Sequence, residues 1–151
     1  MIRSVIFTAL FYVVSFVFVI ICTLLSFVPG RTALMLGLRA YCASVIFFMR
    51  WIVGIKVIVT GREHLPEGVA IIASKHQSYA DGFVMFNAVH DLSFVTGAHL
   101  EKSTLVKRIL RKIGAVVVDQ CGGSSSRNDL ATYSQRAIKD GRKLLIYPEG
   151  R

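Results

Sequence analysis

The chain has 151 residues, a formal net charge of +9, 54% hydrophobic residues and a mean hydropathy of +0.57, which excludes an ordinary cytosolic domain. The excess cation, with no Asp or Glu before Glu63, calls for an anionic partner, and a chain opening on a long apolar run meets its anions as lipid headgroups or phosphorylated substrates, not as nucleic acid. Cys22, Cys42 and Cys121 are odd in number and lack a Cys-x-x-Cys pair, so neither a disulfide framework nor a zinc site is outlined.

From Val5 to Val28 no residue is charged. At about 1.5 Å per residue this run spans about 36 Å, enough to cross a ~30 Å hydrocarbon core. A cleaved signal peptide is the competing reading. The run exceeds the usual h-region and no small-x-small site precedes Pro29-Gly30, so it reads as an uncleaved anchor. Thr32 to Ile55 is also apolar but carries Arg39 and Arg50, eleven residues apart and so on one helical face. Arginine is costly at mid-bilayer, so a helix over about 32–53 is expected to lie at the interface or dip partway in; a second span with snorkelling arginines is the alternative. Trp51 suits the headgroup level, and Arg39, Arg50, Lys56 and Arg62 place the carboxyl-terminal side towards the cytoplasm. Residues 1–54 are therefore expected to form a membrane anchor and 55–151 a small α/β domain.

In that second part, Ile55 to Thr60 and Val69 to Ala73 read as strands around the turn Leu65-Pro66-Glu67-Gly68. Ala80 to Val89 reads as a helix, Leu92 to Thr96 as a strand, Leu105 to Ile113 as an amphipathic helix and Ala115 to Val118 as a strand. Asn128 to Lys139 reads as a helix, with Ser126 and Asp129 fitting a capping box, and Lys143 to Tyr147 as a last strand. Such alternation predicts an α/β sheet, at least partly parallel.

Two short runs carry chemistry. His76 follows a buried-looking strand and precedes a helix, the place where α/β sheets present reactive groups, and Asp81 lies five residues on. If the chain turns between them, the carboxylate can fix the imidazole tautomer while the other ring nitrogen takes a proton from a substrate hydroxyl. Tyr147-Pro148-Glu149-Gly150-Arg151 leaves the last strand through a bend that exposes Glu149 and Arg151, with Gly150 admitting a ligand to the backbone and Arg151 offering a planar fork for phosphate. Glu67, in the same Pro-Glu-Gly setting, reads only as a turn. Lys107, Arg108, Arg111 and Lys112 form a basic face opposite Val106, Ile109, Leu110 and Ile113, suited to anionic lipid or simply to solvent.

Taken in order, the anchor, KHQSYAD, GAVVVDQ and YPEGR resemble the 1-acyl-sn-glycerol-3-phosphate acyltransferases, within the wider glycerophospholipid acyltransferase family. The resemblance implies membrane-anchoring helices followed by a partial glycerolipid-acyltransferase α/β domain. It implies His76 as general base with Asp81 as its partner in the His-x-x-x-x-Asp motif, and Glu149, Gly150 and Arg151 as the acceptor-binding turn. A lysophosphatidate hydroxyl would attack the thioester of acyl-CoA or acyl carrier protein, with no metal, no further cofactor and no covalent acyl-enzyme, at the cytoplasmic side of a bacterial inner membrane. The partners implied are membrane lipids, lysophosphatidate and the acyl carrier, with no nucleic acid. The sequence departs from the family pattern by lacking a Thr between Gly150 and Arg151, and by having Gln120 where an Arg is usual. The family continues through further elements, so the chain reads as a member shortened at its carboxyl end. A catalytically silent fragment, or an acyltransferase acting on glycerol-3-phosphate or another lysophospholipid, is the alternative expectation.

Overall fold

An uninterrupted apolar run with no proline before position 29 has one way to satisfy its backbone away from water, and it takes it as helix α1, Ile2–Leu25. The hydroxyls of Thr8, Ser15 and Thr23 donate to carbonyls four residues back, on Ser4, Phe11 and Val19, so they bring no unmet polarity into the segment. Helix α1 runs three residues earlier than the expected 5–28. The reason lies at its end, where the Ser26 hydroxyl bonds the Thr23 carbonyl at 2.6 Å and Pro29 bars the preceding residue from continuing the helix.

The computed structural model describes residues 2–97, 103–118, 131–132, 134–135 and 137–149. The chain packs as two compact units, one of Met1–His64 with Ser78–Val89, the other of Leu65–Gln77 with His90–Arg151.

In the first unit α1 turns back into α2, Thr32–Phe48, which continues through a wide turn over Met49–Val53. Both helices are long and apolar enough to cross a membrane. They pack tightly at Gly37, where a Cβ would come within 2.6 Å of Leu25 Cδ1 and 3.6 Å of Cys22 Sγ, so a side chain there would make Leu25 shift. Val5, Tyr12, Phe16 and Leu24 on α1 stay exposed, an apolar surface suited to lipid. Helix α3, Ala80–Ala88, packs on α2, with Phe83 meeting the rings of Phe11 and Tyr41 edge-on at 6.0 and 5.6 Å. Arg39 donates to the carbonyl of Asn87 at 3.1 Å, bringing its cation to the negative end of α3. The expected strand Ile55 to Thr60 does not form; its β-branched run supplies propensity but pairs with no described strand, and Ile55, Ile58 and Val59 are exposed.

The hydroxyls of Ser15 and Tyr41 meet at 2.7 Å between α1 and α2, and Ser15 keeps its bond to Phe11 when the phenol is removed. Tyr41→Phe should therefore cost only about 0.5–1 kcal/mol in detergent unfolding. A loss several times larger would show that this pair, not the aromatic packing, holds the helices together.

The second unit is a four-stranded sheet in the order β1-β4-β2-β3. Its strands are β1, Ala70–Ala73; β2, Leu92–Gly97; β3, Val116–Val118; and β4, Lys143–Ile146. Every pairing is parallel, as the alternation of strands and helices predicts. Leu92, Val116, Leu144 and Leu145 are almost fully buried, as strands of a covered parallel sheet must be. Helix α4, Thr104–Ile113, buries Ile109, Leu110 and Ile113 and leaves Arg108 and Arg111 exposed. Residues 131–139 are helical where described, with Ala137 packed against Val116 and Leu144. The expected capping box at Ser126 and Asp129 lies outside the described residues, as do Asp119 and Gln120.

Candidate active site

The strand order decides what meets what. β4 lies beside β1 with Ala73 opposite Ile146, so both strands end at the same carboxyl edge of the sheet. The Ser74 amide donates to the Ile146 carbonyl at 3.0 Å, carrying the pairing one step past β1. There Ser74-Lys75-His76 and Tyr147-Pro148-Glu149 leave the sheet side by side. A parallel sheet binds ligands at this edge.

The two runs touch. The His76 ring stacks on Tyr147, with centroids 4.4 Å apart and planes 28° apart. The His76 amide donates to Glu149 Oε2 at 3.2 Å, across 73 residues of chain. His76 is half-buried and Glu149 exposed, so the imidazole is held by a wall on one side without being sealed from a substrate.

The same geometry separates the two Pro-Glu-Gly turns. Leu65-Pro66-Glu67-Gly68 enters β1 at the amino edge, where Lys143 Nζ reaches the Glu67 carbonyl at 3.5 Å. Pro148-Glu149 leaves β4 at the carboxyl edge. Identical residues thus serve a plain turn at one edge and a candidate site at the other.

Asp81 belongs to the first unit, in the opening turn of α3. Its Oδ2 accepts the Ser78 amide at 2.8 Å, while the Ser78 hydroxyl accepts the Ala80 amide at 3.1 Å. The two bonds close a tight turn just before α3 and hold the carboxylate in one orientation near the positive end of the helix. The short Ser-x-x-Asp spacing is readable in the sequence, so this turn had a local signal. Tyr147 had none: a ring stack on His76 depends on β4 being the neighbour of β1. Gly150 and Arg151 lie outside the described residues.

An acyltransferase family model matches residues 56–151 of the chain. The 1-acyl-sn-glycerol-3-phosphate acyltransferase of Pseudomonas aeruginosa is 28% identical over 148 residues, covering 95% of this chain and 58% of that protein. A probable 1-acyl-sn-glycerol-3-phosphate acyltransferase of Mycoplasma pneumoniae is 26% identical over 106 residues, covering 66% of this chain and 39% of that protein. The crystal structure of the 1-acyl-sn-glycerophosphate acyltransferase PlsC from Thermotoga maritima matches with a TM-score of 0.74 at 19% identity, over 99% of this chain and 62% of that one. The fold is therefore shared, and the chain spans roughly three fifths of the length of the Pseudomonas and Thermotoga proteins (58% and 62%).

Proposed function

We propose, since the chain belongs to the acyltransferase family, that its protein transfers a fatty acyl group to the free hydroxyl of 1-acyl-sn-glycerol-3-phosphate, giving phosphatidic acid. The observation that carries this reading is the meeting of His76 with Tyr147 and Glu149 at the carboxyl edge of the sheet.

In the proposed reaction, the acceptor hydroxyl gives its proton to the His76 imidazole as its oxygen attacks the thioester carbonyl. The tetrahedral adduct then collapses, the C–S bond breaks, and the departing thiolate takes the proton from the imidazolium. Products are an ester and a free thiol, from acyl-CoA or acyl carrier protein alike. Asp81 is assigned to hold the imidazole in the reactive tautomer, a role that rests on its place in the His-x-x-x-x-Asp motif. Gly150 and Arg151, which follow Glu149 in the turn, are assigned to the acceptor, with the Arg151 fork on its phosphate. The two apolar helices support a place in the bacterial inner membrane, with the sheet on the cytoplasmic side, where a two-tailed product can leave into lipid.

Protein in detergent, given lysophosphatidate and acyl-CoA, should release thiol and form phosphatidate in equal amounts. Thiol release at the same rate without acceptor would make the protein a thioesterase and sink the proposal. Faster turnover with glycerol-3-phosphate would replace the acceptor.

A further inference from the structure

A carboxylate is a poor ligand for a phosphorylated acceptor, because like charges repel. What Glu149 does touch is the main chain of the base: its Oε2 accepts the His76 amide at 3.2 Å, a hydrogen bond strengthened by the acceptor's charge. Three links follow one another past the ends of two paired strands. Ser74 bonds the Ile146 carbonyl, the His76 ring lies on Tyr147, and the His76 amide is held by Glu149. The first continues the sheet, the second fixes the imidazole plane, and the third ties down the backbone from which the imidazole projects. A general base must stand within hydrogen-bond reach of the proton it takes, so its backbone position is part of the chemistry.

We propose that Glu149 and Tyr147 are positioning residues for His76, with the Glu149 carboxylate clamping its main chain and the Tyr147 ring backing its imidazole. The kinetic consequences rest on the acyl-transfer reading; the clamp itself does not. Gln keeps an acceptor oxygen at the right distance without the charge, whereas Ala keeps neither. Loss of the clamp displaces the imidazole without removing it, so the effect falls on kcat.

The test uses the whole chain in detergent micelles, with Glu149→Ala and Glu149→Gln compared by amide hydrogen exchange and by turnover. Exchange at the His76 amide should rise about tenfold in Glu149→Ala and return most of the way in Glu149→Gln, while the amides of Leu144 and Leu145 in β4 stay protected as the control for folding. The kcat for acyl transfer should fall by roughly 10–100-fold in Glu149→Ala, and Glu149→Gln should rescue most of that loss even if its KM for lysophosphatidate rises. Tyr147→Phe should likewise recover the kcat that Tyr147→Ala loses, because the stack needs a ring and not a hydroxyl. Unchanged exchange at His76 in Glu149→Ala overturns the clamp, as does a Glu149→Gln kcat as low as that of Glu149→Ala, which would put the carboxylate's charge on the acceptor instead. If no variant and no wild-type protein acylates lysophosphatidate, the exchange result still decides the clamp, and only the acyl-transfer reading falls.

Discussion

His76→Ala should lower acyl transfer to lysophosphatidate by about 10²–10⁴-fold, read as thiol released per enzyme in detergent. An alcohol is a weak nucleophile until a base takes its proton, and among the described residues His76 is the imidazole that stands at the carboxyl edge of the sheet. Alanine removes the ring but keeps the amide that Glu149 holds, so the two turns remain joined and the loss reports chemistry, not folding. His64 supplies the control. It lies in the exposed turn Arg62–His64, its ring 3.6 Å from Glu63, and His64→Ala should keep turnover within about twofold of wild type. Equal turnover by wild type and His76→Ala would mean that the proton goes elsewhere and would remove the site described above.

The residues of this site were legible in the sequence one run at a time. His76 was marked by its position after a strand and Glu149 by the proline and glycine around it, both local signals. Their meeting was not legible. It depends on β4 inserting between β1 and β2, a choice made by burial of Leu144 and Leu145 in the middle of the sheet rather than by any spacing along the chain. The same limit explains why two Pro-Glu-Gly turns looked alike until the sheet gave each an edge.

The helices divide in a similar way. The apolar run announced α1, but its register was set by Ser26 and Pro29, single residues whose capping and steric effects outweigh the hydropathy around them. Helix α3 was expected as a helix and found as one, yet nothing in Ala80 to Ala88 says that Phe83 will pack against α2. That contact fixes where α3 begins. The helix that begins with Asp81 is seated, through Phe83 and Arg39, on the pair of membrane-length helices. Ile55 to Thr60 shows the converse failure, since β-branched residues make a strand only where a neighbouring strand offers hydrogen bonds.

Gly114→Ala should destabilise the protein by about 2.5–5 kcal/mol, lowering the melting midpoint in detergent by about 10 °C. Gly114 ends α4 at φ +73°, with its amide on the Arg111 carbonyl at 3.2 Å and the Ala115 amide on Leu110 at 2.9 Å, the two bonds of a Schellman motif. An alanine there carries the left-handed penalty of about 1–2 kcal/mol. It also meets a second obstacle. A Cβ on Gly114 would overlap the guanidinium of Arg142, which is mostly buried, bonds the Ile113 carbonyl at 2.9 Å and pairs with Asp140 at 2.9 Å. Ile113 also accepts the buried Ser93 hydroxyl at 3.2 Å, so one carbonyl at the end of α4 is tied both to β2 and to the residue before β4. Moving Arg142 therefore strains the join between helix and sheet, and a lost hydrogen bond to a charged donor accounts for the remaining ~1.5–3 kcal/mol. The double variant Gly114→Ala/Arg142→Ala separates these contributions. If the overlap is what matters, removing Arg142 relieves it, and the pair should melt higher than the sum of the two single losses implies, by an interaction of about 1 kcal/mol or more. Strict additivity would leave only the left-handed backbone as the reason for glycine, and an unchanged midpoint in Gly114→Ala would remove both.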